Sequence, residues 1–270
     1  MEQQKISYCL DKDIIIRGLG SSIFSKNLIL HERIDSTNKL AKELALKGAQ
    51  DGTVVLAEEQ VAGKGRMDRR WLSPSHTNLL FTIIMRPKLD PNDTFILTMI
   101  LAVAVIDTVR EMNGLEILIK WPNDLCINQK KVAGILTEFS VRDKRLEYVI
   151  LGLGLNVNWR PEENNGLMYP ATSILVESGR MISRNELLSG ILKRFEGSYK
   201  EVLSGRGEDL YMRWNQLSMV IGKDVKIISQ DEVVRGKVIR IDRQGALILK
   251  NSLGEEKKRL SGDVSLRFKD

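Results

Sequence analysis

Soft metal ligands are scarce in this chain of 270 residues, which has two cysteines and two histidines. Cys9 and Cys126 lie far apart and form no CxxC pair, which fits reduced thiols and argues against a disulfide framework. With so few soft donors a structural zinc site is not expected, and any metal should be a hard ion held by oxygens. A serine or cysteine hydrolase is equally hard to build, because there is no GxSxG elbow and His31 and His76 are the whole supply of imidazole. Long hydrophobic runs are missing too. The longest, Phe95 to Ile106, is too short to span a bilayer and reads as a buried helix. The opening residues, MEQQKISYCLDKD, lack the basic start and apolar centre of a signal peptide. The expectation is a cytoplasmic protein with no membrane role. Neither sign of charge dominates: 41 basic against 35 acidic residues give a net +6, which favours anionic ligands without demanding nucleic acid.

What is present is enough apolar residue, 43%, for one large domain with a small one beside it. The spacing in DSTNKLAKELALKG predicts a short amphipathic helix, with Leu40, Ala41, Leu44 and Ala45 on one face and Gly48 as its stop. TVVLAEE and NLLFTIIM read as strands flanking a glycine-rich loop, and DTFILTMILAVAVIDTVREMNG as a long core helix. LEILIKW, VAGILTEFS and LEYVILGLGLNVNW follow as strands joined by tight turns, which implies antiparallel pairing. Helices are expected from Asn185 to about Asn215. Beyond about residue 217 five short strands suggest a small barrel. The domain reading is therefore an N-terminal segment 1–26, a main domain 27–217 and a small β-domain 218–270.

Four constellations stand out. QVAGKGRMDRRW, at 60–71, fails as a Walker A loop because Gly65 follows Lys64 and Glu58 stands where the earlier glycine belongs. It fails as a dinucleotide fingerprint because Asp68 replaces the third glycine, and GLGLN at 152–156 fails because Val157 does. What remains is a loop whose Lys64, Arg66 and Arg69 can converge on a small polyanion, with flanking glycines easing the fold. A solvated basic loop is the bland alternative, at about even odds for this stretch alone. KWPND, at 120–124, is equally readable as a Pro-Asn-Asp turn, and Ser36, Thr37 and Asn38 as helix capping. Lys131 in a hairpin turn and Asn156 in GLGLN complete the set.

The order and spacing of STN, EEQ leading into GKGRMDRRW, KWPND, KKVAGIL and GLGLNVN resemble the biotin protein ligases, as do RGKVIRIDRQGALIL and SGDVSLR near the C-terminus. The resemblance runs from residue 27 to 270. It implies an α+β fold, a mixed and largely antiparallel sheet with helices like that of class II aminoacyl-tRNA synthetases, and an SH3-like C-terminal β-barrel. It implies that ATP and biotin are substrates, with Mg²⁺, and that biotinyl-AMP forms before biotin passes to a lysine of a biotin carboxyl carrier domain. Resemblance assigns Ser36, Thr37, Asn38, Gln60, Lys64, Gly65, Arg66, Lys131 and Gly134 to biotin. It assigns Arg66, Arg69, Trp71, Asn123 and Asn156 to ATP or adenylate, and Lys131, Arg66 and Asp124 to catalysis, with no metal held by protein ligands alone. Asp124 would orient the acceptor amine or help deprotonate it. Lys64 departs from the arginine common there, which puts a bidentate contact in doubt. Relatives that repress transcription begin with a DNA-binding domain. LDKDIIIRGLGSS looks instead like a linker remnant, so no nucleic-acid role is expected, while a homodimer is. Three other readings compete: a lipoyl or octanoyl transferase or ligase, a nucleic-acid-binding regulator, and a silent biotin binder.

Overall fold

The computed structural model describes residues 9–66, 69–161, 170–228, 233–251, 253–259 and 265–268. Two sheets organise them. The larger holds β1 (Leu28–Ile34), β2 (Thr53–Gln60), β3 (Leu79–Met85), β4 (Leu118–Lys120), β5 (Asp124–Ile127), β6 (Lys130–Arg142) and β7 (Arg145–Leu155) in the order β1-β2-β3-β7-β6-β5-β4. Only β1 and β2 run parallel. The other neighbours are antiparallel, as the short turns between β5, β6 and β7 require.

The sheet is covered on both faces. Against one lie α1 (Lys12–Leu19), α3 (Phe95–Asn113), α5 (Arg184–Leu203) and α6 (Glu208–Leu217), sharing a single apolar core with Phe81, Ile83, Leu151 and Leu153. Against the other lies α2 (Thr37–Leu46), whose Ala41 and Ala45 pack on Val55, Ile84, Tyr148 and Ile150. A short α4 (Ile174–Ser178) sits after β7. The helix α3 is apolar nearly all round because it is buried between the sheet and α5. Among the described residues no helix is long and apolar enough to cross a membrane.

Gly114 ends α3 in the left-handed conformation, φ 70°, and a β-carbon there would meet nothing within 4 Å. The requirement is thus purely conformational, and Gly114→Ala should cost about 1 kcal/mol in urea unfolding.

Within residues 1–26, read above as a linker remnant, the described part from residue 9 onward includes a folded helix. Asp11 caps α1 through its carboxylate, which accepts from the amides of Asp13 and Ile14, and Ile15 and Leu19 are buried against α5. Spacing of four residues puts those two side chains on one face, and burial follows.

The C-terminal region forms the second sheet from β8 (Asp224–Ile228), β9 (Val233–Ile241), β10 (Leu247–Lys250), β11 (Glu256–Arg259) and β12 (Ser265–Phe268), all antiparallel, in the order β11-β10-β9-β8-β12. It docks firmly on the first. Trp121 Nε1 donates to Gly245 O at 2.8 Å, Asn215 bridges to Ile241, and Phe95 meets Trp214 edge-on at 5.5 Å beneath Gly245.

Candidate active site

The site lies on the α2 face of the sheet, along β7. Two glycines of that strand, Gly152 and Gly154, leave its backbone bare. A β-carbon on Gly152 would come within 3.0 Å of Oδ1, Cγ and Nδ2 of Asn38. One on Gly154 would lie 2.5 Å from Trp71 Cε2 and 2.8 Å from its Nε1. Residues two apart on a strand share a face about 7 Å apart. The two glycines therefore mark two adjacent stations, one occupied by the start of α2 and one by the end of the basic loop.

At the first station Gln60, the last residue of β2, accepts through Oε1 from Thr37 N at 2.7 Å and from the Thr37 hydroxyl at 3.0 Å. The Thr82 hydroxyl on β3 lies 2.8 Å from Thr37 Oγ1 and 2.7 Å from Asn38 Oδ1, while Asn38 Nδ2 donates to Glu138 Oε2 at 2.9 Å. All but Gln60 and Glu138 are buried. Ser36 holds the N-cap position but its hydroxyl makes no capping bond. The capping explanation of this triplet thus accounts for its position and not for its side chains.

At the second station Trp71 lies over the paired glycines Gly134 and Gly154. The Lys131 ammonium stands 5.4 Å from the centre of its ring and 2.7 Å from Asp124 Oδ1, so one cation is shared between a π-face and a carboxylate. Trp71 Nε1 is buried without a hydrogen-bond partner. Arg66 donates to Asn123 Oδ1 at 3.3 Å, and Asn123 is fixed in turn by Ile135, through Nδ2 to Ile135 O at 2.8 Å and through its carbonyl from Ile135 N. The loop is braced at its base: Gly65 N donates to Arg69 O at 2.7 Å and Trp71 N to Gly63 O at 2.9 Å. Lys64 and Arg69 are exposed on it.

Asn156, expected at the nucleotide, is buried, with its amide spent elsewhere. Nδ2 donates to Thr172 O at 2.9 Å and Oδ1 lies 3.4 Å from Asn78 Nδ2. Through Thr172, whose N donates to Lys131 O, it holds the strand that carries Lys131. Nearby Cys126 is buried, and burial and then the charge of Asp124 push its thiol up to about 11.

A family model described as the biotin/lipoate A/B protein ligase family matches residues 30–156, and one for the biotin protein ligase C-terminal domain matches 220–267. The bifunctional ligase/repressor BirA of Bacillus subtilis is 36% identical over 250 residues, covering 92% of this chain and 77% of that protein. The chain belongs to the biotin protein ligase family. A second relative, the biotin–[acetyl-CoA-carboxylase] ligase of Paracoccus denitrificans, is 30% identical over 228 residues, 83% of this chain and 94% of that one. Among solved structures, the biotin protein ligase of Aquifex aeolicus in complex with biotin and ATP superposes with a TM-score of 0.76 at 29% identity, covering 90% of this chain and 100% of that one. The family's two model regions fall on the large sheet and the small one, leaving α4, α5 and α6 between them.

Sequence reasoning missed four contributors to the site. Thr82 and Glu138 carry Thr37 and Asn38, and Gly152 and Gly154 make room for Asn38 and Trp71. A threonine inside the otherwise apolar NLLFTIIM was the available signal for Thr82. The glycines of GLGLN were weighed as a dinucleotide fingerprint and not as room for neighbouring side chains.

Proposed function

We propose that this biotin protein ligase binds biotin along β7, with the ureido ring at the Gly152 station and the carboxylate at the Gly154 station, under the basic loop. One observation carries the placement. A polar, largely buried set able to bond a neutral urea, Thr37, Asn38 and Gln60, stands one strand dipeptide away from a cation poised between Asp124 and Trp71. A linear ligand with a neutral polar head and an anionic tail fits that order.

The chemistry follows from charge. Biotin's carboxylate must attack the α-phosphate of ATP, forming the mixed anhydride as pyrophosphate leaves, and two anions resist that approach. Lys131 and Arg66 hold them together and stabilise the charge that develops. Asp124 is already paired with Lys131, so Mg²⁺ would be held mainly by the triphosphate oxygens, where it supplies further neutralisation. In the second half-reaction a neutral lysine amine of the acceptor attacks the anhydride carbonyl and AMP departs. Asp124, freed as Lys131 turns to the phosphate, accepts or orients the amine proton.

The anhydride hydrolyses readily, so the loop must exclude water until the acceptor arrives. Amide protection across Lys64, Gly65, Arg66 and Arg69 is expected to rise on adding biotin, and hydrogen exchange with and without ligand checks it. Unchanged protection would remove the lid from the account.

The acceptor is a biotin carboxyl carrier domain of acetyl-CoA carboxylase or a related carboxylase, and the chain acts as a homodimer. Incubation of such a domain with the protein, ATP and biotin should add one biotinyl group to one lysine, read by mass spectrometry. Transfer of lipoate in place of biotin would reject the substrate assignment.

A further inference from the structure

Cys9, Glu58 and His76 converge behind β2, outside the site described above. Their Sγ, carboxylate and ring-nitrogen atoms all lie within 4.8 Å of one another, the one such group of three donors found among the described residues. Cys9 Sγ is 3.9 Å from His76 Nδ1, and Glu58 Oε1 is 3.6 Å from the same nitrogen. In a tetrahedral zinc site, ligand bonds of about 2.0 to 2.3 Å put neighbouring donors about 3.5 Å apart. The cluster is therefore close to the spacing of ligands around one ion.

The ring's orientation supports this. His76 has φ 60°, a left-handed conformation uncommon outside glycine, and its Nε2 lies 2.9 Å from Glu32 Oε1. In the tautomer that carries its proton on Nε2 and gives it to Glu32, the imidazole would turn a bare lone pair from Nδ1 toward Cys9 and Glu58. A histidine held by a carboxylate on its far nitrogen is how metal-ligating imidazoles are oriented. In that tautomer a carboxylate cannot donate to the lone pair and only the weak thiol donor can, whereas a cation satisfies all three atoms.

Glu58 can present Oε1 to an ion at the expense of one long bond. Oε1 accepts from Leu10 N at 2.6 Å and from Arg184 NH2 at 3.1 Å, while Oε2 accepts from Arg184 NH1 at 2.6 Å; an ion on Oε1 would replace the 3.1 Å bond and leave Arg184 on Oε2. Those bonds fix the carboxylate in place. The charges balance as well: Glu32, Glu58 and a Cys9 thiolate against Arg184 leave two negative charges, which a dication cancels.

We propose that Cys9 Sγ, Glu58 Oε1 and His76 Nδ1 form a site for a thiophilic divalent cation of the zinc type, with a fourth position open to water. Binding would form one metal–sulfur bond and release the Cys9 thiol proton to solvent. The ion would staple the segment ahead of α1 to the chain between Trp71 and β3, and to β2 two residues before Gln60. Two cysteines and two histidines spread over the sequence gave no sign of this, because the spacing from residue 9 to residue 76 acquires meaning only in the fold.

The full chain, stripped with chelator and titrated with Zn²⁺ and separately with Co²⁺, tests it. One zinc per chain by elemental analysis and a thiolate-to-cobalt charge-transfer band are expected. The band should vanish in Cys9→Ser and persist in Cys126→Ser, whose thiol is buried. His76→Ala should weaken zinc at least about tenfold, with an unchanged circular dichroism spectrum showing that it folds. A wild-type chain without the band, a band that survives Cys9→Ser, or undiminished affinity in folded His76→Ala would each overturn the site.

Discussion

Replacing Lys131 with alanine is expected to slow ATP- and biotin-dependent pyrophosphate release by about 100- to 1000-fold, the usual loss when one fixed group facing developing charge is removed. The thermal transition should barely move. Lys131 keeps 30% of its side chain exposed and its partner Asp124 keeps 23%, so both still reach solvent and losing the pair should cost about 1 kcal/mol. Its backbone, by contrast, is held from both sides by Pro170 O and Thr172 N, bonds that an alanine retains. A variant that folds and still releases pyrophosphate at the wild-type rate would remove Lys131 from the adenylation step.

Gly152→Ala should damage the other end of the same ligand. The new methyl would occupy the space of the Asn38 amide, and the neighbour cannot yield freely, because Asn38 is tied to Thr82 and Glu138 and sits in the first turn of α2. Overpacking of this kind costs about 1 to 3 kcal/mol. If that strain falls on the ligand station, the KM for biotin should rise by about 10- to 100-fold, with the KM for ATP much less affected. Equal rises for both substrates would mean that the strand as a whole had shifted and that the station at Gly152 is not specific to biotin.

Much of this site was legible because its residues are consecutive in short motifs. Ser36 to Asn38, the loop from Gln60 to Trp71, and Trp121 to Asp124 each stand at an element's end, where a turn or cap signal fixes the local geometry. The long helix α3 and the strands β4, β6 and β7 were legible for the same local reason. What could not be read depends on register between distant strands. The pairing of Gly134 with Gly154 creates the floor beneath Trp71, and no local pattern encodes it. Strand β1 went unread because LILHERI mixes charge into an edge position, and its parallel pairing with β2 is set by α2 crossing between them. The partners of Asn156 were hidden for a related reason: its amide meets Asn78 and Thr172, which lie far from it along the chain. The helix α1 was readable after all, from Asp11 followed by Ile15 and Leu19 at helical spacing.

The bond from Trp121 Nε1 to Gly245 O ties the residue just before the Pro-Asn-Asp turn to a turn of the small sheet. Gly245 has φ 81°, and a side chain there would run into Phe95. The two domains are therefore not interchangeable parts. A chimera that grafts the small domain of another ligase onto this catalytic half must bring a tight glycine turn to the same spot. Otherwise the turn that carries Asn123 and Asp124 loses its footing, and the graft fails at a distance from its own seam.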